Sequence, residues 1–184
     1  MQEFAIRVAR PDDAAAFAAI YAPLVEHTAI SFEERAPSAD EMHERIRRTL
    51  EWTPWLTASR RDEIAGYAYA SAHRSRAAYR WAVDVSVYVG DRFRGRGIGR
   101  LLYERLFANL ARQRFRRAFA GITLPNDASV ALHRRLGFEP IGTYRRVGWK
   151  LGAWHDVAWL GRDVGDEETG TPAEPIAFPL IGTT

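Results

Sequence analysis

WAVDVSVYVGDRFRGRGIGRLL, residues 81–102, passes from strict alternation through a glycine run into an apolar helical pattern. In its first half Val83, Val85, Val87 and Val89 fall on one face and Asp84, Ser86 and Tyr88 on the other, the period of two that marks a β-strand. Arg94, Gly95, Arg96, Gly97, Ile98, Gly99 and Arg100 follow, and then Leu101, Leu102, Leu106 and Leu110 recur at helical spacing. Glycines let successive N–H groups turn into one concavity, and a helix start adds partial positive charge. The arginines strengthen that field, so the loop suits an anion such as a pyrophosphate. A tight strand-to-helix turn carrying solvated arginines is the simpler alternative.

Two familiar nucleotide motifs do not fit. A P-loop ends in Gly-Lys-Ser/Thr, whereas Gly99 is followed by Arg100 and Leu101. A dinucleotide fingerprint needs a glycine where Arg100 stands. A second basic cluster, Arg112, Arg114, Arg116 and Arg117, closes the helix, where cations offset its dipole. Neither an RNA-recognition strand nor a helix-turn-helix pattern accompanies it, so a solvated helix end is preferred and no nucleic-acid partner is expected.

Outward from this segment the chain is ordinary in bulk. Its 184 residues, 47% hydrophobic and 27% charged with net charge +3, predict one domain with a proper core. With no cysteine there is no disulfide, thiolate metal site or cysteine nucleophile. No stretch approaches the roughly 20 apolar residues of a membrane span, and the first residues lack a signal-peptide apolar region. No membrane partner and a cytoplasmic location are therefore expected.

Before the central strand, the pattern predicts a strand over 4–8, a helix over 14–27, a loop over 28–37 and a helix over 39–50 behind the capping-box pair Ser38 and Glu41. Strands over 55–59 and 64–71 meet at a polar turn. After the central helix come a strand over 118–123, a helix over 128–136 and strands over 139–144 and 157–162. The order predicts a mixed α/β layer in a domain spanning 1–163. Residues 164–184, acidic and then proline-rich, read as a tail over the surface or over a partner.

Arg94-x-x-Gly97-x-Gly99 after Val87-Tyr88-Val89 resembles the acetyl-CoA signature of the GCN5-related N-acetyltransferase (GNAT) superfamily. Phe32, Tyr67-Ala68-Tyr69-Ala70, Arg76, Tyr79, Leu124-Pro125-Asn126-Asp127, His133, Leu136-Gly137-Phe138 and Trp154-His155-Asp156-Val157 extend the match to the phosphinothricin N-acetyltransferase branch, over about residues 4–162. That resemblance implies an α/β (α+β) GNAT fold: a central, mixed, mostly antiparallel seven-stranded sheet, splayed in the middle and flanked by about four helices. It implies acetyl-CoA as co-substrate and no metal. Val87, Tyr88 and Val89 would pair with the pantetheine arm, Arg94 and the Gly95–Arg100 N–H groups would hold the pyrophosphate, and Asn126 would touch the arm. It further implies a homodimer, with small amino acids such as phosphinothricin, methionine sulfoximine or methionine sulfone as acceptors.

Amide formation from an ammonium needs a proton acceptor. Asp84, facing away from the valine row, is the candidate; the related enzymes carry glutamate there, one methylene longer. His133 stands on the helix after Asn126 as an acid for the leaving thiolate or as a polar wall. Arg74, Arg76 and Tyr79, in the loop before the central strand, suit an acceptor's oxyanions, and Phe32 suits its apolar side. Trp149, Trp154 and His155 read as core or dimer contacts. Two rival functions stay open: acetylation of another amine such as a peptide terminus, and acetyl-CoA sensing without turnover.

Overall fold

The computed structural model describes residues 4–165 and 170–182, and the acidic run expected to begin the tail lies partly outside them. Seven strands form one sheet in the order β1-β2-β3-β4-β5-β7-β6. They are β1 (Ala5–Val8), β2 (Trp55–Arg60), β3 (Glu63–Ala72), β4 (Ala82–Val89), β5 (Arg117–Thr123), β6 (Glu139–Lys150) and β7 (Ala153–Asp163). The helices are α1 (Ala14–His27), α2 (Ala39–Leu50), α3 (Ile98–Arg112) and α4 (Asp127–Arg135). All neighbouring strands are antiparallel except β4 and β5. The expected fold class is borne out.

The alternation of β4 divides the core. Val83 and Val85 join Ile98, Leu102, Leu106 and Leu110 of α3 on one side of the sheet. On the other side Phe17, Tyr21 and Leu24 of α1 and Met42 and Ile46 of α2 pack on Trp55 and Tyr67, with Tyr88 alongside. Ser38 and Glu41 make the expected reciprocal cap of α2: the Glu41 N–H donates to Ser38 Oγ at 3.1 Å and the Ser38 N–H to Glu41 Oε2 at 2.7 Å.

Two expectations need correction. The last two strands are not short. They form one long hairpin over 139–163, closed by Leu151 (φ 51°) and Gly152 (φ 76°) and interrupted by a bulge at Arg146 (φ 50°). The arginine cluster at the end of α3 is not merely solvated either. Arg112 donates to the Ile181 carbonyl at 2.5 Å, and Arg114 reaches the Glu174 carbonyl at 3.4 Å. With Gln113, which donates to the Trp52 and Ile176 carbonyls, it holds the C-terminal segment against its own chain. Phe178 of that segment is buried.

Candidate active site

β4 and β5 pair only over Ala82–Asp84 and Arg117–Phe119. Beyond that they part, and a slot of about 60 Å³ opens between them. Its walls are Ser86, Val87 and Tyr88 from β4, Ala120 to Thr123 from β5, and Asn126, Ser129 and His133 from the start and body of α4. A parted pair of strands leaves backbone N–H and C=O groups without ladder partners, so the slot can accept an extended amide-bearing chain as an added strand.

The glycine loop lies at one end of this arrangement. A 3₁₀ turn over Asp91–Phe93 leads into Gly95 (φ 74°) and Gly97 (φ 78°), conformations that cost an L-side chain about 1–2 kcal/mol. No side chain caps α3, whose first intrahelical bond runs from the Leu101 N–H to the Gly97 carbonyl. The N–H groups of Ile98, Gly99 and Arg100 therefore have no intrahelical partner, which makes this end an anion site. Arg94 pairs with Asp91 at 2.8 Å and Arg100 with Glu104 at 2.7 Å, while Arg96 lies over the Phe93 ring. These residues fit a pyrophosphate held mainly by backbone donors.

At the other end, just before the strands part, Asp84 looks onto the face opposite the valines. Burial raises its pKa above the ordinary carboxylate value, and contact with His73 works against that rise. His73 Nδ1 stands 2.6 Å from Asp84 Oδ1. Sequence reasoning missed this partner. The available signal was the register: Ser71 faces Asp84 across β3 and β4, and His73 lies two residues further along the same face. Arg74 donates to the His73 carbonyl at 2.7 Å and lies 5.7 Å over the Trp159 ring, and Tyr79 meets the His73 ring at 6.0 Å. Arg74 and Tyr79 thus gather around the dyad. Arg76 begins the exposed 3₁₀ turn Ala77–Tyr79.

Phe32 is no core residue. It is 40% exposed, its ring rests on Gly148, and its loop is tied to the β6–β7 hairpin by Lys150. The buried Lys150 ammonium donates to the carbonyls of Val25, Ser31 and Glu33 at 2.6, 2.6 and 2.7 Å, using all three protons. That pin was also invisible in the sequence. A second cavity, of about 540 Å³, flanks β3. Trp55, Tyr67, Tyr69 and Tyr88 line it with Arg45 and Arg48, and Ser71 in its wall stands opposite Asp84.

Asn126 caps α4, accepting from the Ser129 N–H at 3.2 Å. His133 is 3% exposed and lies 2.8 Å from the Ser129 carbonyl through Nδ1 and 3.1 Å from the Tyr103 hydroxyl through Nε2. Burial lowers its pKa, so the neutral ring donates from Nδ1 and accepts from Tyr103. Both nitrogens are occupied, which suits a polar wall of the slot. Among the described residues no cluster of three or more histidine, aspartate or glutamate side chains has metal-binding geometry. No helix among them is long and apolar enough to cross a membrane.

A strand-splayed sheet with an uncapped glycine turn at its centre defines a class of acyl-transfer proteins, and comparison with known sequences agrees. The model described as "Acetyltransferase (GNAT) domain" matches residues 6–159, and the chain belongs to that family. It is 36% identical over 171 residues to a phosphinothricin N-acetyltransferase of Streptomyces viridochromogenes, covering 93% of each chain. An L-methionine sulfoximine/L-methionine sulfone acetyltransferase of Salmonella typhimurium is 35% identical over 156 residues, covering 84% of this chain and 91% of that one. Among solved structures, a GNAT phosphinothricin acetyltransferase from Sinorhizobium meliloti in complex with acetyl-CoA superposes with a TM-score of 0.87 at 36% identity, covering 95% of each chain. The resemblance drawn from the sequence, to the superfamily and to this branch, is borne out.

Proposed function

We propose that this N-acetyltransferase uses acetyl-CoA to acetylate the α-amine of a small amino acid of the phosphinothricin, methionine sulfoximine or methionine sulfone type, in the cytoplasm and as a homodimer. One observation carries the reading: β4 and β5 part after Asp84, the slot between them is walled by Val85 to Tyr88, and β4 then runs on into the glycine turn and the uncapped N-terminus of α3. In this reading the N–H groups of Gly95 to Arg100, with Arg94, hold the pyrophosphate. The backbone of Val87, Tyr88 and Val89 pairs with the pantetheine arm, and Asn126 touches it further along.

The thioester then lies where a β4 N–H near Val87 donates to the developing oxyanion. The acceptor's oxyanion groups meet Arg74, Arg76 and Tyr79, and Phe32 covers its apolar side. Asp84, directly or through an intervening group, takes the ammonium proton so that the neutral amine attacks. With no cysteine to carry an acetyl group, transfer is direct within a ternary complex. His133 serves as the polar wall against which the thiolate leaves. Cavities of this size suit small ligands, which favours a free amino acid over a peptide terminus.

The test is release of CoA thiol from acetyl-CoA across a panel of phosphinothricin, methionine sulfoximine, methionine sulfone, ordinary amino acids, a polyamine and a short peptide. We expect release with the tetrahedral analogues and a fall of about 10²-fold or more in Asp84→Ala. Tight acetyl-CoA binding with no release on the whole panel would leave the sensor reading in its place.

A further inference from the structure

Asp84, at the last position where β4 still pairs with β5, does not stand alone. Its Oδ1 lies 2.6 Å from His73 Nδ1. An ionised carboxylate only accepts, so the shared proton sits on Nδ1, and the neutral imidazole then carries its lone pair on Nε2. The ring is held in place. It stacks on Phe119 of β5 at 4.3 Å and meets Trp159 of β7 edge-on at 6.0 Å. The titratable and charged groups that lie against it are Asp84 from β4 and Arg74 and Tyr79 from the β3–β4 loop, and from β5 and β7 it meets the rings of Phe119 and Trp159. Among the described residues the Asp84 contact is the one hydrogen bond to the ring.

We propose that His73 Nε2, oriented by Asp84, is the atom that removes the proton from the acceptor's ammonium. This rests on the acetyltransferase reading above. An imidazole is ordinarily a stronger base than a carboxylate and so lies closer to an α-ammonium on the proton-affinity scale. The closer match makes proton removal far less uphill. The proton moves from the ammonium to Nε2, and the imidazolium formed is paired with Asp84. The freed amine lone pair forms the N–C bond at the acetyl carbonyl carbon, and the C–S bond breaks. The departing thiolate takes the second amine proton, and His73 returns its own to water once product leaves.

The decisive variant is His73→Asn, whose amide N–H occupies the place of Nδ1 and still donates to Asp84 but offers no base. Thiol release is followed from about pH 6 to pH 9, with acetyl-CoA affinity measured alongside. We expect acetyl-CoA affinity within about threefold of the parent, kcat lower by about 10²–10⁴-fold, and the ascending limb of kcat displaced toward acid by a unit or more. A kcat within about threefold with an unmoved limb would reduce His73 to a support for Asp84 and overturn the inference alone. A parent protein that releases no thiol with any amine would overturn the inference and the acetyltransferase reading together. If the Asn variant does not fold, ¹⁵N NMR of the parent decides. Pyridine-like Nε2 in the neutral ring supports the proposal, and a proton on Nε2 overturns it.

Discussion

Asp84 shows how a reacting group is held against its own preference. Its pKa is raised by burial, and the His73 contact, helped by the nearby charge of Arg74, restrains that rise. A folded pKa above the unfolded value of about 3.9 means the fold favours the protonated form. Its contribution to stability is therefore fully present below about pH 3.9 and lost as pH rises through the folded pKa. At neutral pH the ionised carboxylate is a stability cost kept for chemistry. Asp84→Asn should accordingly melt above the parent at pH 7, while losing turnover, and the gap should close as pH falls toward 4. Melting curves at three or four pH values test this; a variant less stable at pH 7 would contradict it. The face of Asp84 was legible from the alternation of β4. His73 was not, because it follows a strand end among polar residues and meets Asp84 only through a diagonal cross-strand contact.

At the scale of elements, the glycine turn was the most readable part of the chain, since strand period, glycine run and helix period each pointed to the same local geometry. Gly97 carries the turn. It is the residue before α3 and sits at φ 78°, with open space where a Cβ would project. Gly97→Ala therefore tests backbone conformation rather than packing. The αL penalty of about 1–2 kcal/mol should lower Tm by about 2–8 °C and, by turning the N–H groups aside, weaken acetyl-CoA binding by about tenfold. Thermal melts and calorimetric titration with CoA measure both; unchanged CoA affinity would mean that the loop's donors do not hold the pyrophosphate.

The β6–β7 hairpin shows why other elements were hidden. Its turn uses a leucine in the left-handed region instead of Asn-Gly, and the bulge at Arg146, whose N–H donates to Asp156 at 2.7 Å, breaks the alternation on which a strand reading depends.

For the whole molecule, that hairpin sets what the sheet presents to its surroundings. β6 is the sheet's last strand and thus an unpaired edge. Ile141, Tyr144, Val147, Trp149, Leu151 and Trp154 on the hairpin are each half or more exposed. Trp149 and Trp154 face each other across it, their rings 5.5 Å apart. Neither is core, which leaves the contact reading that the sequence offered for them. An apolar surface of this extent beside an open edge is costly to leave in water, and a second copy covering it is the economical solution. The described residues of the C-terminal segment pack elsewhere, on Trp52, Trp81 and the end of α3. Light scattering on the parent should therefore give the mass of two 20.8-kDa chains, and the double substitution Trp149→Glu with Trp154→Glu should give one. The double variant should keep its acetyl-CoA affinity, because none of the slot's walls lies on the hairpin. A parent that stays a single chain at about 50 μM would rule out the homodimer at the concentrations where the enzyme is assayed, since even a Kd of that order leaves about half of the chains paired.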